Sequence, residues 1–461
     1  MATGSRLFRI SVTCVALMLL SACDRSISAA TATVSADGTT AFTSVGGRST
    51  PNAHGIYGVR GVAAATNMPG SRDSGLTWTD TNGNLWMFGG FSGYSGAKNR
   101  AVGNFLNDLW TYSPTKGQWT WIGGSNAVCS QGVYGTQGVA APTNLPAARA
   151  TTIRWTDTSG NVWLFGGGSC DATGAFILRG DLWKFSPSSR EWTWVAGTSA
   201  SNESPDYGTE GVAGTANTPG ARDSAAAWTD ANGNMLMFGG YGTAPPGSHI
   251  ARPLHNDLWE YLPSSNQWAW IGGPSTLNAK GVYGIQGAAD AANIPGARSG
   301  AVYWTDAQGN FWLFGGYGCD ATGTRAGLLN DLWRYSTSSG EWTWVGGSNT
   351  LNATGGNVPA ARASSTTWTD PSGDVWLFGG EGFDIPTNSY HRLNDLWKYS
   401  PSTGQWTWAA GSTANNVPGA RAAPSRWKDA TGTVWLFGGF QYEEATNTRF
   451  EMNDLWKLPT Q

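Results

Sequence analysis

Apolar residues along this chain come in short clusters, rich in aromatic and β-branched side chains, that alternate with polar turn-like segments. The first full set of clusters comprises Arg72–Thr79, Leu85–Phe88, Leu109–Tyr112 and Trp119–Ile122. Short apolar runs of this composition are typical of β-strands. The segments between them, such as Asp80–Asn84 and Ser113–Gly117, carry the Gly, Asn and Pro that tight turns require. The pattern therefore predicts four antiparallel strands, here called A, B, C and D.

This set of strands recurs along the chain, marked by two repeated triplets. The triplet Phe-Gly-Gly, which follows strand B, begins at Phe88, Phe165, Phe238, Phe314, Phe378 and Phe437. The triplet Asp-Leu-Trp, which begins strand C, starts at Asp108, Asp181, Asp257, Asp331, Asp395 and Asp454. Six units of four antiparallel strands predict an all-β fold, a six-bladed β-propeller with four-stranded blades.

The two ends of the repeat array indicate how the ring closes. The sixth unit reaches Leu455–Leu458 and has no strand D, whereas Phe42–Gly47 near the other end aligns with Trp119–Gly124 of the first unit. We therefore expect an N-terminal strand to complete the last blade, which removes an open sheet edge. The propeller is predicted to span residues 39–461.

Composition restricts the role of the aromatic residues and the class of partner. All 27 tryptophans of the 461-residue chain fall at predicted strand positions. A buried aromatic side chain removes ~150–250 Å² from water, worth ~4–6 kcal/mol at ~25 cal/mol per Å². We therefore assign the tryptophans to the core rather than to sugar stacking. Charged residues make up 13% and the net charge is −3, so no basic surface for nucleic acid is expected.

The N-terminus has the features of an export signal. Arg6 and Arg9 precede an apolar run of about eleven residues, too short to span a bilayer. The segment Leu20–Cys23 resembles the lipobox of bacterial lipoproteins, which implies lipid attachment at Cys23. We expect a signal peptide at 1–22, a flexible tether at 23–38 and a lipid anchor in the cell envelope, with inner or outer membrane left open. The alternative is an ordinary signal peptide with a chance cysteine.

The repeats resemble kelch repeats and, more loosely, the propeller of galactose oxidase. The resemblance rests on the double glycine after strand B and on an aromatic of strand C followed seven residues later by Trp. These pairs are Tyr112 and Trp119, Phe185 and Trp192, Tyr261 and Trp268, Tyr335 and Trp342, and Tyr399 and Trp406. The resemblance implies a binding platform more often than an enzyme. Since no histidine set matches the copper site of the oxidase, we predict no cofactor and no metal.

Candidate binding residues lie on one face of the predicted propeller. The B–C loops and D–A connections share this face and vary in length, and variable loops on a rigid scaffold often bind ligands. The candidates there are Tyr94, Tyr241, His249, His255, Tyr317, Phe383, Tyr390, His391 and Tyr442. The alternative is that the aromatic members pack the loops onto the blades.

An arginine begins each strand A and an aspartate begins each strand C. The arginines are Arg72, Arg149, Arg222, Arg298, Arg362 and Arg421. A ring of arginines near the channel mouth could bind a carboxylate. Strict repetition favours the other interpretation, one Arg–Asp pair per blade, because functional sites usually break the symmetry of a repeat.

Three cysteines lie within the predicted propeller. Cys129 precedes blade two and Cys170 lies in its B–C loop, both on the loop-rich face. An exported protein permits a disulfide, and we predict the pair Cys129–Cys170. Cys319 is then left as a free thiol.

Together these features predict a monomeric, non-enzymatic binding module that presents its loop face to a protein or a glycan. No catalytic residue is assigned. The alternative is a carbohydrate-active enzyme such as a sugar mutarotase or epimerase, which requires an asymmetric polar cluster at the channel mouth. Candidates for that cluster are Arg60, Glu210, Arg325, Glu381 and His391.

Overall fold

The structure, a computed structural model, describes residues 42–48, 50–93, 104–243, 252–384, 389–411, 417–443 and 448–458. Within these ranges the regular elements are 31 β-strands. The predicted signal peptide, Cys23 and the tether lie outside the described residues.

The strands form six antiparallel sheets, the blades, and one separate hairpin. The strand that comes first in the chain is β1 (Thr43–Gly46). Blade one contains β2 (Leu76–Thr79), β3 (Leu85–Phe91), β4 (Phe105–Ser113) and β5 (Gln118–Gly123). Blade two contains β6 (Arg149–Ala150), β7 (Ile153–Thr156), β8 (Val162–Cys170), β9 (Phe176–Ser186) and β10 (Glu191–Ala196). Blade three contains β11 (Arg222–Asp223), β12 (Ala226–Thr229), β13 (Met235–Gly242), β14 (Leu254–Leu262) and β15 (Gln267–Gly272).

The second half of the ring repeats this arrangement. The connection to blade four adds β16 (Ala289–Asp290). Blade four contains β17 (Arg298–Ser299), β18 (Val302–Thr305), β19 (Phe311–Cys319), β20 (Ala326–Ser336) and β21 (Glu341–Gly346). Blade five contains β22 (Arg362–Ala363), β23 (Thr366–Thr369), β24 (Val375–Asp384), β25 (Ser389–Ser400) and β26 (Gln405–Ala410). Blade six contains β27 (Ser425–Lys428), β28 (Val434–Phe437) and β31 (Leu455–Leu458), with the hairpin of β29 (Phe440–Glu443) and β30 (Thr448–Glu451) extending from it.

The N-terminal strand closes the ring. β1 pairs antiparallel with β31, and Ser44 lies opposite Trp456. On its other side β31 pairs with β28, so the first strand of the chain is the outermost strand of blade six. The predicted six-bladed, all-β fold and its closure are confirmed.

The core lies between neighbouring blades and is built mainly from aromatic residues. One cluster joins Trp155 of blade two to Trp259 of blade three, and both are at most 2% exposed. Trp408 is an exception to the predicted burial of the tryptophans, since 55% of it is exposed. Its counterpart in blade one, Trp121, is covered by Tyr57 at a ring distance of 5.1 Å. The connection into blade five, residues 347–361, contains no tyrosine to cover Trp408.

Strands B and C are longer than the hydrophobic clusters predict. In blade two, β8 reaches Cys170 and β9 starts at Phe176, so most of the predicted B–C loop is a hairpin. In blades one to five a register shift at the double glycine separates this outer hairpin from the blade, as between Phe88 and Gly90. A Cβ on Gly89 would lie 2.6 Å from the carbonyl oxygen of Arg149 in the next blade, so glycine is required there.

The repeated arginines and aspartates form one ion pair in every blade, buried in blades one to four and partly exposed at the aspartate in blades five and six. In blade two, Nη1 and Nη2 of Arg149 donate to the two carboxylate oxygens of Asp181 at 2.7 and 2.9 Å. The indole of Trp183 and the hydroxyl of Tyr134 donate to the same carboxylate. Burial by itself raises the pKa of Asp181, but the charge and hydrogen bonds of Arg149 hold it below its usual value.

The equivalent pairs are Arg72–Asp108, Arg222–Asp257, Arg298–Asp331, Arg362–Asp395 and Arg421–Asp454. These six arginine side chains are at most 2% exposed. They fix strand A to strand C and are not available to a ligand, which confirms the structural interpretation.

Candidate ligand-binding site

A closed ring of backbone hydrogen bonds surrounds the propeller axis. Each blade contributes one residue, and its N–H donates to the carbonyl oxygen of the equivalent residue in the adjacent blade over 2.8–3.2 Å. The six residues are Ser74, Thr151, Ser224, Gly300, Ser364 and Ala423. All six have a φ between 51° and 63°. That conformation is uncommon for residues other than glycine and persists only where the surrounding structure imposes it.

A cavity of about 430 Å³ lies on the axis with this ring as its floor. The outer hairpins of blades three to six form its walls and place one tyrosine each on it. These tyrosines are Tyr241, Tyr317, Tyr390 and Tyr442. The rings of Tyr241 and Tyr317 are 6.4 Å apart, and Tyr390 is 44% exposed. The volume falls within the range of about 300–1,000 Å³ that is typical of small-molecule sites.

Three arginines alternate with aromatic rings around the same cavity. The guanidinium carbon of Arg252 lies 4.1 Å from the ring centre of Tyr241. That of Arg392 lies 4.3 Å from the ring centre of Tyr442, and that of Arg449 lies 3.8 Å from the ring centre of Phe440. Stacking of a guanidinium on an aromatic face is favourable and restricts both side chains. The wall is therefore a preorganised surface of alternating cationic and aromatic groups.

Each of these arginines also contacts an acidic group. Arg252 lies 3.0 Å from the carboxylate of Asp223, and Arg392 lies 3.3 Å from that of Glu381. Arg449 forms ion pairs with Asp73 and, at 2.8 Å, with Glu451. The cavity thus has charges of both signs and many donors and acceptors, which suits a polar, hydroxylated ligand.

Two of the cavity tyrosines, Tyr241 and Tyr390, have hydroxyl groups whose pKa is raised above the ordinary value. Burial raises the pKa of Tyr241 to about 12, and the nearby Ser299 and Arg252 only partly oppose this increase. Burial also raises the pKa of Tyr390. A neutral tyrosine can both donate and accept a hydrogen bond, as recognition of a sugar hydroxyl requires.

The predicted binding residues separate into three groups. Tyr241, Tyr317, Tyr390 and Tyr442 converge on the axial cavity. His255 and His391 do not line it. Tyr94 and His249 lie outside the described residues, as does the side chain of Phe383.

His255 is part of the blade scaffold. Its side chain is 2% exposed, and Nδ1 lies 3.6 Å from the carboxylate of Asp257, which Arg222 also binds. Burial and the charge of Arg222 lower the pKa of His255 to about 4, although Asp257 acts in the opposite direction. His255 is therefore neutral in the folded protein above that pH.

The lowered pKa of His255 predicts a loss of stability in mild acid. The unfolded chain takes up a proton near pH 6.5 and the folded chain only near 4, so folding becomes less favourable as the pH falls through this window. We expect His255 to contribute a loss of up to about 3 kcal/mol. Urea unfolding of the wild type and of His255→Gln between pH 7.5 and 4.5 measures this effect. The variant should lose less stability than the wild type, whereas His391→Gln should follow the wild type. Equal losses in all three proteins would contradict the assignment.

The enzyme candidates do not form one cluster. Of the five, Glu381 lines the axial cavity, while Arg60, Glu210, Arg325 and His391 are absent from its described lining. Arg60 lies instead at a cleft of about 810 Å³ between blades one and two, where it stacks on Trp121 at 4.7 Å. That cleft is lined largely by connecting segments. We favour the axial cavity because its arginines and tyrosines break the repeat.

Sequence reasoning did not identify Arg252, Arg392 and Arg449 as site residues. One signal was available for Arg392, which lies two positions from Tyr390. Residues two apart share a face of a strand, but this segment was interpreted as a loop.

The structure joins Cys129 to Cys170 by a disulfide. This bond ties the connection that leads into blade two to the tip of the outer hairpin of that blade. Cys319 is a buried free thiol, and burial raises its pKa. A buried thiol of raised pKa is a poor nucleophile.

Neither a cluster of metal-ligating side chains nor a membrane-spanning helix occurs in the described part of the chain. It contains no group of three or more His, Cys, Asp or Glu side chains that is arranged to hold a metal ion. Nor do these residues include a helix that could cross a lipid bilayer.

Comparisons with known proteins agree with the repeats and the fold. The model of the KLHDC2/KLHL20/DRC7 Kelch-repeats domain matches residues 288–461. Two relatives are similar to part of this chain over 213 residues, which is 45% of its length. Multiple epidermal growth factor-like domains protein 8 from Homo sapiens is 26% identical to it, and the same protein from Mus musculus is 24% identical. The match spans only 6% of the length of those two relatives.

Among solved structures, that of YjhT superposes with a TM-score of 0.52 over 84% of this chain and 95% of YjhT, at 13% sequence identity. At that identity the similarity shows the fold alone. Kelch propellers are commonly interaction modules. The repeats, the six closed blades and these similarities support a kelch-type β-propeller.

Proposed function

We propose that this chain is a cell-envelope binding module that holds a sugar residue of a glycan in its axial cavity. The observation that carries the proposal is the asymmetry of the cavity. Blades three to six each contribute a tyrosine, whereas the Arg–Asp pairs repeat in all six blades. Features that break the symmetry of a repeat are the ones expected to serve a ligand.

The chemistry of the lining supports a sugar over an apolar ligand. Tyrosine has an apolar ring face on which a sugar ring can stack, together with a hydroxyl group that hydrogen-bonds. Arg252, Arg392 and Glu381 add charged donors and acceptors to the same wall. The serine and threonine side chains of the floor add further hydroxyl groups. Lipid on Cys23, as the lipobox-like segment predicts, would hold this cavity at the membrane surface.

A glycan array probed with the full-length chain tests the proposal. We expect binding to one family of sugars. Tyr390→Ala and Tyr442→Ala should each weaken it by about tenfold or more, because aromatic side chains that anchor a ligand commonly contribute at least that much. Trp408→Ala is the matched control, since it removes an exposed aromatic outside the cavity and should leave binding unchanged. A blank array would contradict the glycan proposal and favour a protein ligand. Glycan binding that both tyrosine variants retain would contradict the axial cavity as the binding site.

One observation favours the enzyme alternative as a second candidate. Glu381 places a carboxylate in the cavity beside Arg392, and a carboxylate is the group that a sugar mutarotase or epimerase needs for proton transfer. NMR exchange between the anomers or epimers of the bound sugar measures this activity. Exchange that the wild type accelerates and Glu381→Gln does not would establish catalysis. Binding with no acceleration of exchange would restrict the chain to recognition.

A further inference from the structure

One position of the innermost strands differs between odd and even blades. It is the residue immediately before the tryptophan of strand A. Blades one, three and five carry small side chains there, namely Thr77, Ala227 and Thr367. Blades two, four and six carry large polar ones, namely Arg154, Tyr303 and Arg426. The difference breaks the repeat at the propeller axis, far from the outer hairpins.

These three large side chains meet in a second cavity. It has a volume of about 230 Å³, borders the ring residues Ser74 and Thr151, and is lined by Arg154, Tyr303 and Arg426. The lining that the structure describes contains no aspartate or glutamate. Two arginines and a tyrosine therefore share a channel that carries positive charge only.

The two arginines flank the inner strand of blade one. Nη1 of Arg154 donates to the carbonyl oxygen of Thr77. The hydroxyl of Thr77 donates to the carbonyl oxygen of Arg426 over 2.7 Å. These bonds hold the two arginine-bearing strands on either side of Thr77 and bring both guanidinium groups into the same channel.

The positive charge in this channel is not balanced by an ion pair among the described residues. Neither Arg154 nor Arg426 lies within ion-pair distance of a described carboxylate, unlike the arginines of the six repeated pairs. Burial and the charge of Arg154 lower the pKa of Arg426 to about 10, although Tyr303 acts in the opposite direction. Burial also lowers the pKa of Arg154. Two like charges removed from bulk water are costly unless an anion accompanies them.

The repeated aspartates that follow the inner strands are already engaged in hydrogen bonds. An aspartate follows each strand A and accepts hydrogen bonds from its own turn. Asp157, for example, accepts from the backbone N–H groups of Ser159 and Asn161 and from the indole of Trp163 at 2.9 Å. Asp429 binds the turn of blade six and Trp435 in the same way. These carboxylates stabilise turns and do not neutralise the channel.

We propose that this channel binds a small oxyanion of the size of phosphate between Arg154 and Arg426. Guanidinium groups match the geometry of an oxyanion with paired N–H donors, and the Tyr303 hydroxyl supplies a further donor. The site is separate from the axial cavity because the ring of six backbone hydrogen bonds lies between them. Its ligand would stabilise the centre of the propeller, where all six inner strands meet.

Thermal unfolding of the full-length chain tests this site after exhaustive dialysis into chloride buffer. Inorganic phosphate should raise the melting temperature of the wild type in a saturable manner, beyond the effect of sodium chloride at equal ionic strength. Titration calorimetry should give one site per chain. Acetate at the same ionic strength is the second arm. A response to both anions indicates a general oxyanion site, and a response to phosphate alone indicates a site selective for phosphate.

Arg154→Gln and Arg426→Gln should each weaken phosphate binding by about tenfold or more, because each removes charge-assisted hydrogen bonds. Both variants should also melt at or above the temperature of the wild type in chloride, since one of two like charges is gone. That result shows that they are folded.

Arg325→Gln, at an exposed position, is the matched control and should bind phosphate like the wild type. No phosphate-specific shift in the wild type, or full phosphate binding by folded Arg426→Gln, would overturn the proposal. Neither result would affect the glycan proposal.

Discussion

Replacement of Trp333 by alanine is expected to lower the free energy of unfolding by about 3–5 kcal/mol. Trp333 is fully buried and packs against Tyr283 and Trp342, with ring centres 4.9 and 6.4 Å away. Its indole also donates to Asp331 at 2.7 Å. Alanine would leave a cavity at the junction of blades three and four and remove one donor from a buried carboxylate. Urea unfolding followed by tryptophan fluorescence measures the change.

Trp408→Ala is the matched control for Trp333→Ala. Trp408 occupies a strand of blade five but is 55% exposed, so its removal opens no cavity. We expect a change within about 0.5 kcal/mol of the wild type. Equal losses for the two tryptophan variants would contradict the assignment of the core to the spaces between blades.

Asp181→Ala is expected to destabilise the chain by about 3–5 kcal/mol as well, for an electrostatic reason. The substitution leaves the guanidinium of Arg149 buried without its counter-ion. It also removes the acceptor of the Tyr134 hydroxyl and of the Trp183 indole. Chemical denaturation at neutral pH gives the size of the loss.

The control for Asp181→Ala is an ion pair that reaches solvent. Lys398 lies 2.9 Å from Asp374, and their side chains are 36% and 17% exposed. Lys398→Ala should cost at most about 1 kcal/mol, since water and salt screen such pairs. If Asp181→Ala proved as mild as Lys398→Ala, the repeated pairs would not hold the blades together as described.

The fold was predictable because each blade repeats the same local chemistry. The triplets Phe-Gly-Gly and Asp-Leu-Trp fix the strand order six times over. The incomplete last unit then leaves β1 as the strand that closes the ring. The exposure of Trp408 was not predictable from its strand position. In blade one, Tyr57 covers the equivalent Trp121, whereas the connection into blade five has no tyrosine that could cover Trp408. Such a contact joins residues that are far apart in the sequence.

The site was predictable only in part. Four tyrosines could be placed on the loop-rich face because strand direction alternates within a blade. The arginines that stack on aromatic rings were missed because the predicted loops are hairpins, in which Tyr390 and Arg392 share one face. Arg154 and Arg426 were missed for another reason. They lie in strands whose other residues repeat, and only the closed ring brings blades two and six to the same channel.

We expect the asymmetric axial cavity, and not the outer edge of a blade, to hold the ligand. A crystal structure of the full-length chain in complex with the glycan selected on the array tests it most directly. We expect one sugar residue above the ring of six backbone hydrogen bonds, in contact with the tyrosines of blades three to six. A glycan bound at the exposed Trp408, or in the cleft at Arg60, with an empty axial cavity would contradict the claim.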